Sequence, residues 1–180
     1  TPLQLCLMTA QIANGGYKIK PKIIVNDDPL SLENAKTAME LQSLQTPNTK
    51  LFNDPKNIKI VQEAMFSSTN EQFGTSYRSR IEDTKYQFAG KTGTAQVKRI
   101  SKRERELDLK LEQIPYKDRD HALYVAYGPY KNPRYALSII VEHGGSGSKA
   151  AAPMAKELFK LIIDRDELRD KQSNFENINI

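Results

Sequence analysis

At 180 residues, with 38% apolar and 27% charged side chains, the chain has the composition of one folded domain or a large piece of one. Its net charge of +5 comes from 27 basic residues interspersed with 22 acidic ones, a balance that argues against a concentrated basic patch and a nucleic-acid partner. No run reaches the length of about eighteen apolar residues that a membrane span needs, and a single cysteine, Cys6, excludes an internal disulfide.

In chain order, Thr1 reads as an N-cap and Pro2 as the first helical residue. Leu3, Cys6, Leu7, Ala10 and Ala13 then recur at helical spacing until Gly15 and Gly16 end the helix. Because this cap opens the chain with no leader or linker ahead of it, we expect residue 1 to lie inside a longer protein. Tyr17, Ile19, Ile23 and Val25 alternate with polar residues, and Pro21 within that row predicts an edge or short strand. Residues 26–53 are polar, with Pro29 and Pro47 as breakers, and a weak helix over 30–44 stays open. Asp54 and Pro55 repeat the cap signature, and Ile58, Val61, Ala64 and Met65 form an apolar stripe, predicting a helix to about Ser67.

Gly74 marks a turn. Three strands follow over 87–97, 122–127 and 135–141, with Pro129, Asn132 and Pro133 joining the last two as an antiparallel hairpin. Between the first two strands, residues 98–120 carry eight basic and six acidic side chains, which predicts a salt-bridged loop or short surface helix rather than a phosphate-binding patch. After the glycine-rich residues 144–147, a helix with Met154, Leu158, Leu161 and Ile162 on one side closes the fold. The polar residues from about Asp170 to Ile180 should fray.

Residues 89–96, Ala-Gly-Lys-Thr-Gly-Thr-Ala-Gln, fall inside a predicted strand, where two glycines and a lysine add nothing to strand stability. Alternation puts Lys91 and Gly93 on one face and Thr92 and Thr94 on the other, so the absent side chain leaves room beside the ammonium. On a sheet edge, such a segment can pair with a peptide as an added strand. The Thr92 and Thr94 hydroxyls can then bind a carboxylate while Lys91 supplies positive potential. The bland alternative is a chance Lys-Thr-Gly string. A P-loop is excluded, because Lys85 stands where its first glycine is required and a strand continues past Lys91. Cys6 reads as a packing residue. His121 and His143 lack zinc-ligand spacing, so no metal is expected. Tyr124, Tyr127, Tyr130 and Tyr135 read as sheet residues rather than base-stacking platforms.

Lys91-Thr92-Gly93 resembles the third signature of penicillin-binding proteins and serine β-lactamases, whose other two are Ser-x-x-Lys and Ser-x-Asn. Taken with residues 1–5 (TPLQL), 89–96 (AGKTGTAQ), 120–130 (DHALYVAYGPY) and 141–153 (VEHGGSGSKAAAP), the chain is similar, from residue 1 to about 168, to class B penicillin-binding proteins of the cell-elongation type. The resemblance implies an α+β fold, an antiparallel sheet flanked by helices, in which residues 1–168 form the C-terminal half of the transpeptidase domain and 169–180 a disordered polar tail. It implies a peptidoglycan D,D-transpeptidase, in which a serine attacks the carbonyl between two D-alanines of a stem peptide and an amine of a neighbouring strand resolves the acyl-enzyme. Lys91 would act electrostatically in the cleft. Lys91, Thr92, Gly93 and Thr94 would bind the terminal carboxylate and penicillin, and the Thr94 backbone N–H would be one oxyanion-hole donor. No cofactor is implied. The implied partners are the stem peptide, β-lactams, the N-terminal part of the same protein and a glycosyltransferase. The implied setting is a periplasmic domain of a protein anchored in the inner membrane by a segment outside this chain.

The family order departs from this chain in one respect. Ser-x-x-Lys and Ser-x-Asn precede Lys-Thr-Gly and fall before residue 1, so no nucleophile is expected here and the chain alone should be inert. Ser146 to Lys149 and Ser68 to Asn70 copy the two patterns in the wrong order, one in a glycine-rich turn and one at a helix end. Truncation should leave 135–141 as an unpaired edge that associates with a second copy. A different reading makes the chain a basic interaction module acting through the charged 98–120 loop.

Overall fold

The computed structural model describes residues 1–21, 49–99, 107 and 109–178, with residues 170–178 by their backbone. Helix α1, Pro2–Ala13, opens on a reciprocal cap: the Gln4 N–H donates to Thr1 Oγ1 at 3.3 Å, and the Thr1 amino group donates to Gln4 Oε1 at 2.8 Å. Gly15 and Gly16, at φ of 88° and 91°, end it where a side chain would be strained. Tyr17 pairs with Lys50 in a single antiparallel bridge. Residues 18–21 form no strand beyond that bridge, and Ile23, Val25 and the open helix over 30–44 lie outside the described residues.

Helix α2, Pro55–Asn70, starts where Asp54 Oδ1 accepts the Lys56 N–H at 2.8 Å. It runs three residues past the expected end at Ser67 because its last polar side chains are engaged rather than solvated. Asn70 Nδ2 donates to the Phe88 carbonyl at 3.0 Å, and Thr69 lies 2.9 Å from the Tyr124 hydroxyl. The polar run at the end of α2 is the seam between helix and sheet.

The sheet has the antiparallel order β1 (Ala89–Ala95), β2 (His121–Gly128), β3 (Tyr135–Val141). Strand β1 is two residues shorter at each end than expected. The Gln87 carbonyl accepts from the Tyr130 N–H at 2.7 Å, and the Val97 N–H donates to Asp120 Oδ1 at 3.2 Å, so both ends bond outside the ladder. Pairings such as Thr92 with Tyr124 and Tyr124 with Ile139 place Gly90, Thr92 and Thr94 on one face. Lys91 and Gly93 lie on the other, beside Leu123 and Val125.

The first face is covered by α3, Ala152–Ile178, which follows a π turn at Gly147–Ala151. Phe88, Tyr124 and Ala126 pack there with Ala151, Ala155, Phe159 and Ile163, and Phe88 stacks on Phe159 at 4.8 Å. This corrects the expected apolar stripe: Met154, Leu158 and Leu161 are exposed, and Ala155, Phe159 and Ile163 face the sheet. The reason is spacing. A Cβ on Gly128 would stand 3.0 Å from Phe159, so the helix lies close to the sheet, with Ala151, Ala152 and Ala155 packed where it begins and Phe159 seated over the glycine. The helix also continues to Ile178, so the backbone of the polar tail is helical to that point where fraying was expected. Buried Asp166 ties α3 to the hairpin by an ion pair with Arg134 at 3.0 Å and pairs within the helix with Arg169 at 3.1 Å.

The second face is covered by α1 and α2 at one end, where Met65, Ala89 and Tyr127 pack with Ile12, Ala13 and Phe66. Cys6 joins this layer, its thiol donating to the Ala136 carbonyl at 3.3 Å. Of residues 98–120, those described form two short 3-10 turns, Leu111–Gln113 and Tyr116–Asp118, with Lys98 paired to Asp118 at 3.2 Å.

Candidate functional site

Strand β1 is a sheet edge among the described residues: its ladder bonds all go to β2. Lys91, Thr94 and Ala95 are exposed and Thr92 and Gly93 half-buried, while Ala89 and Gly90 behind them are buried. The strand is thus anchored at its start and open along the Lys-Thr-Gly-Thr stretch. A Cβ at Gly93 would meet only Leu123, at 3.3 Å, so the face beside Lys91 is bare at that point. Lys91 Nζ curls round the edge to the Thr92 carbonyl at 2.9 Å and the Thr92 hydroxyl at 3.3 Å. Ammonium and hydroxyl from opposite faces therefore meet on the open side of the strand. Residues two apart on a strand aim their N–H and C=O groups the same way, which turns the Thr94 N–H toward the side on which Lys91 reaches the Thr92 carbonyl.

Behind this edge lies a set of hydroxyls that sequence reasoning missed. Thr75 Oγ1 sits 3.3 Å from Thr92 Oγ1 and 3.2 Å from Ser68 Oγ. One layer deeper, the buried Tyr124 hydroxyl lies 2.9 Å from Thr69 and 3.1 Å from Ser76, and Ser76 also donates to the Ser68 carbonyl at 3.0 Å. Burial pushes the Tyr124 phenol up, opposed by its bonds with Ser76 and Thr69. The only sequence signal for this seam was Gly74, whose Cβ would strike the Ser67 and Ser68 carbonyls, so the loop folds back tightly on the end of α2.

The two lookalike motifs go to different fates. Ser68 is joined to Thr92 through Thr75, whereas Asn70, the third position of that motif, is spent on the Phe66 and Phe88 carbonyls. Ser146 Oγ bonds Ser148 Oγ at 3.0 Å and Lys149 is exposed, and among the described residues no amine bonds the Ser146 hydroxyl to activate it. Its neighbour Gly147 lies directly on β1: a Cβ there would collide with the Leu123 carbonyl and stand 2.8 Å from the Gly93 carbonyl. His121 Nδ1 accepts the His143 backbone N–H at 2.9 Å, with His143 at φ 55°, and the His143 ring bonds the Arg119 carbonyl at 2.9 Å. Both rings thus hold the glycine-rich turn against β2. Of the four tyrosines, Tyr124 and Tyr127 are buried in the sheet layers.

An antiparallel sheet between helices, with Lys-Thr-Gly on its open edge, defines a class, and comparison with known proteins agrees. The penicillin-binding protein transpeptidase domain family matches residues 1–160, and the chain belongs to that family. It is 32% identical over 166 residues to the peptidoglycan D,D-transpeptidase MrdA of Salmonella typhimurium, covering 91% of this chain and 25% of that protein. With MrdA of Acinetobacter baumannii the identity is 35% over 167 residues, covering 88% of this chain and 22% of the relative. Among solved structures it is similar to Pseudomonas aeruginosa PBP2 in complex with WCK 5153, at 31% identity and a TM-score of 0.60, over 89% of this chain and 30% of that one. It is also similar to PBP2 in the Helicobacter pylori complex with MreC, at 30% identity and a TM-score of 0.62, over 89% and 25%. The chain spans about a quarter of the length of the curated relatives it matches.

Proposed function

We propose that the chain is the substrate-gripping part of a D,D-transpeptidase that cross-links peptidoglycan stem peptides, working as the periplasmic domain of an inner-membrane protein. The observation that carries this reading is the open edge of β1, where Lys91 Nζ lies 3.3 Å from the Thr92 hydroxyl beside the bare position of Gly93. A peptide ending in two D-alanines would pair along that edge, its terminal carboxylate taken by the Thr92 and Thr94 hydroxyls under the positive potential of Lys91. The Thr94 N–H would donate to the carbonyl oxygen as it gains charge. The attacking serine belongs to the part of the protein outside this chain. Acyl transfer then releases the last D-alanine, and an amine from a neighbouring strand takes the acyl group. A glycosyltransferase that supplies the strands is the natural partner. The reading of 98–120 as the seat of function draws no support from the relatives.

The test uses labelled penicillin on the whole protein and on this chain alone. The whole protein should form a stoichiometric adduct, and this chain none. A stable adduct at Ser146 would overturn the placement of the nucleophile.

A further inference from the structure

We infer that Arg78, Lys149 and Lys156 form a second anion subsite beside the Lys-Thr-Gly strand, one that takes an acidic side chain of the peptide upstream of its D-alanyl end. The proposal rests on the reading of the chain as a stem-peptide transpeptidase. A cavity of about 420 Å³ opens between the 3-10 turn Tyr77–Ser79 and the start of α3, lined by these three cations together with Ser79, Ser148 and Glu157. Among the described residues, no carboxylate pairs with any of the three cations, and Glu157 alone offsets them on the rim. Ser79 is 3% exposed and lines the cavity. Three cations with no carboxylate partner around one cavity suit an oxygen-rich anion.

Both walls of the cavity are tied to β1. Arg78 and Ser79 follow Thr75 and Ser76, which bond Thr92 at 3.3 Å and Tyr124 at 3.1 Å. Ser148 follows Gly147, which lies against the Gly93 backbone. The cavity is therefore on the α3 side of the sheet, the face to which Thr92 and Thr94 point. A peptide added along β1 sends alternate side chains to that same face and advances about 3.3 Å per residue. Its terminal carboxylate is held by the strand, so the anion for this cavity is an acid earlier in the peptide.

The test compares two synthetic peptides on the whole protein, both ending in two D-alanines, one with an acidic residue upstream and one with that acid as its amide. The wild-type protein should prefer the acid by roughly tenfold in kcat/KM, through KM, as expected for charge-assisted hydrogen bonds. Arg78→Gln with Lys149→Gln and Lys156→Gln should bring the two peptides level, and Lys149→Arg with Lys156→Arg should keep the preference. Equal use of both peptides by the wild-type protein overturns the subsite and leaves the transpeptidase reading standing. A preference that survives the triple variant, with a lower melting temperature, also overturns it and assigns the cations to an acid of the protein itself. A wild-type protein that takes neither peptide nor labelled penicillin removes the premise and the proposal together.

Discussion

At the residue scale the site is a set of hydroxyls arranged around one ammonium. Lys91, Thr92, Gly93 and Thr94 were legible because glycine and lysine have no reason to occupy a strand unless something lies against it. Thr75, Ser76 and Thr69 were not legible, since hydroxyl residues near a turn or helix end have a local explanation that needs no tertiary partner. Their role predicts a measurable cost. Tyr124→Phe removes the shared partner of Thr69 and Ser76 but leaves each its bond to a helix carbonyl, so unfolding in urea should show a loss of about 1 kcal/mol. The single thiol gives a second check. Burial raises the Cys6 thiol above its ordinary value, and it donates to the Ala136 carbonyl, so maleimide labelling at pH 7 should be slow in the folded chain and fast in urea.

At the element scale, the caps of α1 and α2 and all three strands were readable from short-range signals, because Thr-Pro, Asp-Pro and alternating β-formers act locally. The face of α3 was not. Its sequence carries two apolar stripes, and the choice between Met154, Leu158 and Leu161 on one side and Ala155, Phe159 and Ile163 on the other depends on how closely the helix approaches Gly128. Gly147→Ala tests the same close approach at the other end of the contact. Its Cβ would meet backbone atoms of Leu123 and Gly93 that cannot swing away, so a loss of about 1–3 kcal/mol should appear in denaturant unfolding. A third contact of α3 titrates. Tyr86 donates to Asp164 at 2.5 Å and Lys85 at 3.2 Å, and these bonds lower the Asp164 carboxyl below its ordinary value. A lowered carboxyl contributes stability above the unfolded value of about 3.9 and loses it as pH falls through the lower folded value. Thermal melts across pH 2–5 should therefore fall less steeply for Asp164→Asn than for the wild-type chain.

At the scale of the whole molecule, two exposed surfaces carry a prediction. Met154, Leu161 and Leu168 on α3 are more than half exposed, a stripe suited to burial against further protein. The outer edge of β3 has no strand partner among the described residues. This chain alone should sediment as a dimer or larger species, and Ile140→Lys, on the exposed side of β3, should shift it toward monomer. A monodisperse monomer of the unaltered chain at high concentration would count against the exposed-edge account. The central claim, that the β1 edge grips a carboxylate, is tested most directly by the acylation rate of the whole protein with penicillin and with its methyl ester. Wild-type protein should react with the free acid faster by about tenfold or more, and Thr92→Val with Thr94→Val should abolish most of that preference by slowing the acid alone. If the double variant keeps the full preference for the acid, the carboxylate is held elsewhere and the account is wrong.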